Sequence, residues 1–479
     1  MKRVRIIPRL DIKGPNVVKG IQLEGLRVIG SPAVLAKRYY EQGADEILYI
    51  DTVASLYERN NLTEIVENMA SNGIYIPVTV GGGIRSVEDV RTLLRAGADK
   101  VAINTAATRN PELITKAAEI FGSQCIVGSI EAKFNEGKWE CYVDNGRERT
   151  GLDALEWAKK LAGFGAGELL VTSVDREGTM SGYDHELLGR IASSVSVPVL
   201  ACGGARDGAD VADCLRKTGC DGACFASILH YNRATIGGVK EELARAGIAT
   251  RKAMLARVQA NPSPNPKEVS IIDYGAGNLK SVRTAFSNLG NPVKLVTSAA
   301  EIEQAQLLVL PGDGAFGFGM SELEKRGLIA PIRGYVKSGR PFFGICLGMQ
   351  LLLSESLEFG RHGGLGIIPG RVLPFKPVPE VREPGYRVPQ IGWNQISKPK
   401  GAQWDGTPLE SVPDGSEAYF VHSFYAAPED GGSVLASSVH GGQEFCSVIR
   451  KGNVFGTQFH PEKSGEVGMR MLQWFSRLL

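Results

Sequence analysis

A cysteine and a distant histidine–glutamate pair are the residues of this chain with the clearest capacity for chemistry. Cys346 lies in PFFGICLGMQ, after an apolar run and between Gly344 and Gly348, and GTQFHPEKS supplies His460 and Glu462. We predict a sharp strand-to-helix turn at Cys346, with the two glycines allowing tight backbone angles and close packing. The helix N-terminus then favours a thiolate. His460 can relay a proton, and Glu462, two residues along a predicted strand and so on the same face, can fix the imidazole tautomer.

The alternative interpretation is a buried core cysteine beside an unrelated strand histidine. Free cysteine is among the most buried residue types, so an isolated cysteine favours that interpretation. A single cysteine with separated histidine and acid partners is instead a recognised nucleophile pattern. The combination therefore predicts a nucleophilic cysteine.

Length and composition predict a two-domain enzyme that acts on small molecules. At 479 residues the chain exceeds one ordinary core. A formal net charge of +2 offers no broad basic field for nucleic acid. The N-terminus has no apolar signal core, and no stretch approaches the about 18 apolar residues of a membrane span. We therefore expect a cytoplasmic protein with free thiols and no membrane contact.

The cysteines give no indication of a metal site. The eight residues, at positions 125, 141, 202, 214, 220, 224, 346 and 446, lack paired metal-ligand spacing. Cys220 and Cys224 have no matching second pair and no nearby histidine. We expect neither a metal nor a cofactor.

Strand-like and helix-like segments alternate through the first half of the chain, and the pattern repeats. IPVTVGGGIRSVEDV at 76–90 matches VPVLACGGARDGADV at 197–211, and KVAINTA at 100–106 resembles GACFASI at 222–228. Two half-barrels of four βα units therefore favour a closed (β/α)8 TIM barrel over residues 1–248, rather than an open doubly wound sheet.

A Pro-rich stretch divides the chain into two domains. Residues 249–267 pass from a short helical pattern into alternating prolines and polar residues, which is typical of a semi-rigid spacer. Residues 268–479 show buried strands each followed by a turn and a helix, and later strands at EAYFVHSFYA, EFCSVIRKG and VFGTQFH. We predict an α/β domain whose sheet has a mixed-direction extension.

Two carboxylates fall where a barrel concentrates its chemistry, at the carboxyl ends of strands. Asp11 follows the first strand, and Glu131 lies in GSIEAK of the opposite half. Facing each other across the barrel mouth, they could divide general-acid and general-base roles if their environments separate their pKa values. The alternative is that either one is a solvated loop acid.

Two glycine turns, Gly81–Gly83 and Gly203–Gly204, occupy equivalent places in the two half-barrels. Backbone N–H groups and nearby hydroxyls can form phosphate-binding nests there, and a duplicated nest predicts a substrate with a phosphate at each end. Glycine for close strand–helix packing alone is the alternative. The predicted substrate and phosphate contacts are Lys19, Gly82, Gly83, Asn104, Thr105, Asp175, Gly178, Thr179, Gly203, Gly204 and Ser227.

With PRLDIKG, VVKG, TVGGGIR, INTAA, TSVDREGTMSGYD and the GICLGMQ/HPEK pair, the chain resembles the imidazole glycerol phosphate synthases over nearly all of both domains. Residues 1–248 are similar to the cyclase barrel and residues 268–479 to the class I glutaminase subunit. The family usually makes these as separate proteins or fuses them in the opposite order. The resemblance implies that Cys346 attacks the glutamine amide and that ammonia passes through the barrel to a bisphosphorylated ribulosyl aminoimidazole nucleotide. Lyase and cyclisation chemistry at Asp11 and Glu131 would give imidazole glycerol phosphate, a histidine precursor, and an aminoimidazole carboxamide ribotide.

The resemblance also implies roles for residues around both sites. Gly312 and Gly314 lie in PGDGAFG, a strand expected to supply an oxyanion N–H. Glutamine would be held or surrounded by Gln350, Tyr419, His422 and Ser423. Ammonia would enter at a charged ring of Arg5, Glu46, Lys100 and Glu168, which could equally be a buried salt network. Domain docking, within or between chains, is expected to involve Asp99, Lys463 and Trp393, the last within the gating segment PQIGWN at 389–394.

Three departures from the family pattern leave the acceptor open. Glu131 stands where the histidine-pathway enzymes have aspartate, Arg9 replaces the cysteine of P-C-L-D, and Asp313 takes the apolar position of P-G-V-G. A carboxylate beside the oxyanion strand disfavours a nearby anion unless it points away. A side chain longer by one methylene shifts the Glu131 carboxyl on a scale that can harm catalysis.

The first two departures, with DTVASLYERNN and DREGTMSGYD, are also similar to paralogous pairs of surface-polysaccharide pathways. Those enzymes use glutamine-derived ammonia to turn an acetamido group on a nucleotide-activated sugar into an acetamidino group. A third interpretation is a catalytically silent barrel that scaffolds or regulates ammonia supply to a separate enzyme. We predict the histidine-pathway reaction because both phosphate nests and Asp11 persist.

Overall fold

The computed structural model describes residues 3–54, 62–71, 73–252, 266–275, 277–378, 381 and 385–478. The chain divides into two compact units, one of residues 1–118, 123–255 and 384–392 and the other of residues 119–122, 256–383 and 393–479. Most of the predicted spacer, residues 253–265, lies outside the described residues.

The first unit is a closed barrel of eight parallel strands, as the repeated βα pattern predicts. Its strands are β1 (Arg5–Lys13), β2 (Asn16–Ile21), β3 (Glu24–Gly30), β4 (Ile47–Asp51), β5 (Val78–Gly81), β6 (Lys100–Ile103), β7 (Ile126–Asn135), β8 (Lys138–Val143), β9 (Glu148–Asp153), β10 (Glu168–Ser173), β11 (Val199–Cys202) and β12 (Gly222–Phe225). Parallel pairing runs β1-β4-β5-β6-β7-β10-β11-β12 and returns to β1, so no edge is left within the barrel. The antiparallel ribbons β2–β3 and β8–β9 extend β1 and β7 beyond the carboxyl ends of their neighbours.

Helices return the chain between the barrel strands. They are α1 (Pro32–Glu41), α2 (Leu62–Ser71), α3 (Val87–Ala96), α4 (Thr105–Arg109), α5 (Glu112–Phe121), α6 (Ala154–Gly163), α7 (His185–Ser194), α8 (Gly208–Thr218), α9 (Ser227–His230) and α10 (Ile236–Arg245). Several begin at side-chain caps that satisfy free backbone amides, such as Ser86 with Asp89 at α3 and Asp207 at α8. A cap of this kind contributes about 1 kcal/mol.

The barrel interior is layered because alternate residues of each strand point inward. An apolar layer of Ile7, Leu48, Val127, Leu170 and Leu200 fills its middle. Polar and charged side chains lie on the same strands towards each end, for example Arg5 before Ile7 and Asp11 after it. The charged side chains named here therefore lie on either side of the apolar layer.

The second unit is built on a seven-stranded sheet with strand order β14-β13-β15-β16-β25-β24-β23. Its strands are β13 (Val269–Ile272), β14 (Val293–Val296), β15 (Leu307–Leu310), β16 (Phe342–Ile345), β23 (Val434–His440), β24 (Gln443–Lys451) and β25 (Val454–Thr457). The neighbouring strands β14, β13, β15, β16 and β25 pair in parallel. β24 and β23 add antiparallel strands, which is the predicted mixed-direction extension. Smaller sheets contain β17 (Glu355–Ser356), β18 (His362–Gly363), β19 (Gly370–Pro374), β20 (Gln390–Gln395), β21 (Glu417–His422) and β22 (Phe424–Pro428).

The helices of this α/β arrangement, among the described residues, are α11 (Leu279–Asn288), α12 (Ala299–Gln304), α13 (Phe316–Lys325), α14 (Ile329–Lys337), α15 (Leu347–Gln350) and α16 (Gly465–Phe475). The neighbouring strands β13, β15, β16 and β25 all end at the same sheet edge. The residues that follow them are therefore brought together. In the part of the chain that the structure describes, no helix is long and apolar enough to span a bilayer.

Candidate active sites

Cys346 follows β16 directly and is the N-cap of α15, with a positive φ of 51° and a ψ of −107°. Such a backbone is uncommon for a non-glycine residue, and strain of this kind concentrates at functional sites. A Cβ at Gly344 would lie 2.7 Å from the Gly348 carbonyl oxygen, and one at Gly348 only 1.8 Å from the Leu310 oxygen. The glycines thus provide close packing, and the tight angle expected of them lies at Cys346 itself.

His460 and Glu462 meet as predicted but not on a strand. His460 Nδ1 lies 2.8 Å from Glu462 Oε1, and both side chains are buried. The chain leaves β25 at Thr457, and residues Pro461–Lys463 form a 3₁₀ turn. The strand expectation was wrong because Pro461 has no N–H for a ladder and starts a helical turn instead.

The imidazole of His460 is surrounded by anionic partners. Burial lowers its pKa, but the charges of Cys346, Glu462 and Asp313 outweigh burial and hold the pKa of His460 well above its ordinary value. An imidazolium in this position can act as a proton donor to a group that leaves when Cys346 attacks. Gln458 also donates to the Cys346 Sγ, at 3.7 Å.

The segment after β15 lies against the helix that Cys346 begins. The Leu347 N–H donates to the Gly312 carbonyl oxygen at 3.2 Å, so Gly312 presents a carbonyl here rather than an N–H. Asp313 does not point away from the site. Its Oδ1 lies 3.4 Å from His460 Nε2, and its Oδ2 accepts the N–H of Asn278 at 2.7 Å.

The residues expected around glutamine cluster behind the nucleophile. Gln350 donates to the Phe424 carbonyl at 2.9 Å and to Gln458 Oε1 at 3.2 Å. His422 Nδ1 lies 2.8 Å from the same carbonyl, and burial lowers the pKa of His422 to about 3, so this imidazole is neutral. Ser423 is half-buried between β21 and β22.

Two residues of this site escaped the sequence argument, Tyr274 and Gln458. The Tyr274 hydroxyl is buried and has no hydrogen-bond partner among the residues that the structure describes, and a Cβ on Gly312 would lie 2.5 Å from it. Both follow parallel strands of the central sheet, β13 and β25. The rule that carboxyl ends share one edge is the signal that could have found them.

At the carboxyl end of the barrel, Asp11 is held by two cations. Arg9 Nε donates to Asp11 Oδ1 at 2.7 Å, and Lys19 Nζ donates to Oδ2 at 2.9 Å. Burial alone would raise the pKa of Asp11, but the charges of Arg9 and Lys19 outweigh burial and hold it well below its ordinary value. Lys19 also pairs with Glu177, so its ammonium is committed to carboxylates within this cluster.

Glu131 occupies a different electrostatic environment on the opposite strand β7. Its Oε2 accepts the Gly146 N–H at 2.8 Å. Burial raises the pKa of Glu131 to about 7, against smaller lowering contributions from Arg9 and Gly146. The two carboxyls of the mouth therefore have pKa values displaced in opposite directions, the separation that divided acid and base roles require.

The first glycine nest and Glu131 line one cavity of about 260 Å³. Gly82 and Gly83 both have positive φ, and a Cβ on Gly82 would lie 2.3 Å from the Asp51 carbonyl oxygen. Several other residues that line this cavity were not predicted from the sequence: Arg85, Arg109, Asn110, Ser129 and Asn145. Asp144 was not predicted either, and its carboxylate contacts Thr105 and Arg109. Asn104 and Thr105 also line this cavity.

The second nest repeats the first in geometry but encloses less space. Gly203 and Gly204 have φ of 97° and 99°, and with Gly178 and Ser227 they line a cavity of about 10 Å³ beside Glu177. Two expected contacts are engaged elsewhere. Asp175 accepts the Phe134 N–H at 2.8 Å, and the Thr179 hydroxyl contacts the Arg176 carbonyl and Ser181, each at 2.7 Å.

The four residues of the predicted charged ring meet at the amino end of the barrel. Arg5 pairs with Glu46 at 3.0 Å and also with Glu168, while Lys100 pairs with Glu46 at 2.7 Å and also with Glu168. All four side chains are at most 1% exposed. The ring is therefore a buried salt network with alternating charges.

The residues expected at the domain interface are described within their own units. Asp99 accepts the Val78 N–H at 2.7 Å, Lys463 lies in the 3₁₀ turn after His460, and Trp393 packs edge-on against Tyr419. Their interface role stays a prediction. Among the described residues, no group of three or more His, Cys, Asp or Glu side chains could hold a metal ion.

Comparisons with known proteins agree with this two-part arrangement. A family profile described as "Histidine biosynthesis protein" matches residues 5–235, and one described as "Glutamine amidotransferase class-I" matches residues 270–477. The chain is 62% identical over 205 residues to the imidazole glycerol phosphate synthase subunit HisF of Legionella pneumophila, covering 43% of this chain and 96% of that protein. It is 51% identical over 249 residues to HisF of Lactococcus lactis subsp. cremoris (strain SK11), covering 52% and 96% of the two chains. These relatives each correspond to about half of the present chain.

Proposed function

Because the chain belongs to the histidine biosynthesis protein family through its barrel and carries a class-I glutamine amidotransferase domain, we propose that it is a glutamine-dependent imidazole glycerol phosphate synthase. One observation carries this proposal: the nest of Gly82 and Gly83 and the acid Glu131 line the same cavity. A nucleotide held there by a phosphate has a proton donor beside it. Arg85 and Arg109 add positive charge to the lining, which suits a phosphorylated acceptor.

The glutaminase half supplies ammonia by thiolate chemistry. The Cys346 thiolate adds to the side-chain amide carbon of glutamine, and the His460 imidazolium gives its proton to the departing ammonia. Water then hydrolyses the thioester to glutamate, with His460, now neutral, taking a proton from that water. Glu462 holds the imidazole through Nδ1 throughout.

The barrel half uses that ammonia at its carboxyl end. Neutral ammonia enters through the ring of Arg5, Glu46, Lys100 and Glu168 and crosses the apolar layer, which excludes its charged form. Asp11, held ionised, accepts protons, and Glu131, protonated near neutrality, donates one. The products are imidazole glycerol phosphate and an aminoimidazole carboxamide ribotide.

A second candidate function is favoured by the position of Arg9. Its guanidinium is 2% exposed inside the barrel and contacts Asp11, the Thr172 hydroxyl at 3.2 Å and Cys202 Sγ at 3.3 Å. Arg9 places a fixed positive charge beside the Asp11 carboxylate, at a position where the histidine-pathway enzymes have an uncharged cysteine. This difference favours a different acceptor. The candidate is ammonia transfer to the acetamido carbon of a nucleotide-activated sugar, forming an acetamidino group.

Product analysis tests both candidates. The purified protein is incubated with glutamine and, separately, the bisphosphorylated nucleotide or a nucleotide-activated acetamido sugar, and the products are identified by mass. Imidazole glycerol phosphate supports the first function, and an acetamidino sugar supports the second. Cys346→Ala should abolish glutamine use but keep turnover with added ammonium, while Cys446→Ala, at another buried free cysteine of the same unit, should keep both. Glutamine-driven turnover by Cys346→Ala would contradict the nucleophile assignment.

A further inference from the structure

A second cavity lies in the glutamine amidotransferase unit, and we propose that it is a binding site for a nucleoside phosphate. Its volume is about 590 Å³, and its lining residues come from three segments, 333–340, 365–367 and 451–454. All of them belong to the second unit of the chain. The proposal does not depend on the glutaminase reaction, because none of these residues takes part in it.

The cavity and the nucleophile lie at opposite edges of the central sheet. Residues 337–340 lead from α14 into β16, and residues 451–454 lead into β25, so the cavity lies where these two strands begin. Cys346 follows the other end of β16, which is four residues long. An extended strand of that length spans about 13 Å. The cavity is therefore separate from the site around Cys346.

Four cationic side chains line this cavity, and no aspartate or glutamate of the described residues lines it with them: Arg333, Lys337, Arg340 and Lys451. In the part of the chain that the structure describes, none of the four forms an ion pair with a carboxylate. Uncompensated like charges around one space repel each other and attract an anion. The cavity therefore favours a ligand that carries more than one negative charge.

Main-chain carbonyls hold three of these cations in place. Arg333 Nε donates to the Leu365 carbonyl oxygen at 2.8 Å, and Lys451 Nζ donates to the Ile367 carbonyl oxygen at 2.8 Å. Arg340 Nη1 donates to two carbonyl oxygens at the end of α12, at 2.7 and 2.9 Å. A neutral carbonyl orients a cation without cancelling its charge, and each cation has further N–H groups for a ligand.

The dipoles of neighbouring helices account for only part of this charge. A cation near the C-terminus of a helix stabilises that end. Lys337 lies in the last turn of α14, and Arg340 bonds to the end of α12. Arg333 lies in the middle of α14, and Lys451 is the last residue of β24. These two charges have no helix end to stabilise and remain available to a ligand.

The apolar part of the lining selects the ligand further. Val336, Leu365, Ile367 and Val454 line the same space as the four cations. Small-molecule sites have volumes of about 300–1,000 Å³ and combine apolar surface with a few polar groups. Inorganic phosphate would leave the apolar side chains uncovered. A nucleoside phosphate presents a flat base to them and its phosphates to the cations.

The test is calorimetric titration of the full chain with ATP, in EDTA so that no divalent cation neutralises the phosphates. Lys337→Gln is the most informative variant, because the exposed Lys337 side chain forms no hydrogen bond or ion pair with the described residues and its loss should not disturb the fold. We expect its Kd for ATP to rise about fivefold, and we expect a similar rise for Lys451→Gln. Lys400→Gln, at an exposed lysine outside the cavity, is the matched control and should bind ATP as wild type does.

Two further titrations identify which part of ATP is bound. Adenosine lacks the phosphates and should not bind detectably, and inorganic triphosphate lacks the base and should bind about tenfold more weakly than ATP. Triphosphate binding as tight as that of ATP would mean that the cavity takes an adventitious ion only, which would overturn the inference. Tighter binding of a poly-glutamate peptide than of ATP, weakened by the same variants, would assign the cavity to an acidic protein segment and also overturn it.

Absence of binding by wild type at about 1 mM ATP would overturn the inference as well. Equal Kd values for wild type, Lys337→Gln and Lys451→Gln would also overturn it, because ATP would then occupy another site, such as the glycine nests of the barrel. Circular dichroism checks that the variants are folded. Weaker ATP binding confined to the two cavity variants supports the inference. Glutamate release is a separate measurement, so its absence would contradict the proposed function and leave this inference intact.

Discussion

The two ends of the barrel carry similar charged clusters with different charge balance. At the amino end, two cations face two carboxylates in a closed ring: Arg5, Lys100, Glu46 and Glu168. At the carboxyl end, two cations again face two carboxylates, but a fifth ionisable group is present: Arg9, Lys19, Asp11, Glu177 and Glu131. Within these two clusters of described residues, Glu131 is the acid that forms no ion pair with a cation.

That additional acid gives the two clusters a different capacity for proton transfer near neutral pH. In the ring, burial raises the pKa of Glu46, but Lys100 and Arg5 outweigh burial and hold that pKa below its ordinary value, so Glu46 is ionised near neutral pH. Among the described residues, Glu131 accepts a hydrogen bond from the Gly146 N–H and forms none with a cation, and burial is the largest influence on its pKa. Proton transfer near pH 7 therefore belongs to the carboxyl end.

Removing the charge of Asp11 should have the largest effect. Asp11→Asn leaves Arg9 and Lys19 in excess and deletes the proton acceptor, so ammonium-driven acceptor turnover should fall about 10³-fold. Turnover is measured with ammonium chloride in place of glutamine. The control is Asp213→Asn, an exposed carboxylate paired with Lys217 on α8, which should behave as wild type. Unchanged turnover in Asp11→Asn would remove Asp11 from the mechanism.

Breaking the ring should instead cost stability. Glu168→Gln leaves Arg5 and Lys100 with a single buried carboxylate, so the free energy of unfolding should fall by about 3–5 kcal/mol. Urea unfolding followed by circular dichroism measures the change. Glu186→Gln, at an exposed carboxylate near Arg190, is the matched control. A variant with the wild-type urea midpoint would show that the ring does not depend on charge balance.

The pH dependence of folding stability tests the difference between the two ends through Glu131. A carboxyl whose folded pKa of about 7 exceeds its unfolded value stays protonated in the native state while the unfolded chain releases its proton. Stability therefore falls as pH rises from about 4.5 to 7, by about 3 kcal/mol in total. Glu131→Gln should lack this loss, so its stability relative to wild type should be greater at pH 8 than at pH 5. An equal difference at both values, measured by urea unfolding, would place the pKa of Glu131 near its ordinary value.

Removing an exposed ion pair should have the smallest effect on the free energy of unfolding. Lys116 and Glu112 pair at 3.2 Å on the surface of α5, where solvent screens the charges. Lys116→Ala should change the free energy of unfolding by less than about 0.5 kcal/mol. A loss comparable to that of Glu168→Gln would show that burial is not what distinguishes the ring.

Much of the fold and of the glutaminase site followed from sequence patterns. The repeated βα units predicted the barrel, and the HPE motif predicted the contact between His460 and Glu462, which lie 2.8 Å apart. Sequence patterns are sufficient here because residues that directly follow neighbouring parallel strands lie at the same edge of the sheet. The same local rules failed at Glu462, where Pro461 replaces the expected strand with a 3₁₀ turn.

What the sequence determined by itself is the set of chemical groups and the strand ends that carry them: Cys346, His460, Asp11, Glu131 and the two glycine turns. Tertiary structure alone decided their partners. It placed Arg9 and Lys19 on Asp11, tied Lys19 to Glu177, and turned Asp313 towards His460. The physical reason is that a pKa or a charge pairing depends on burial and on distances between residues far apart in the chain, and neither quantity is encoded in local spacing.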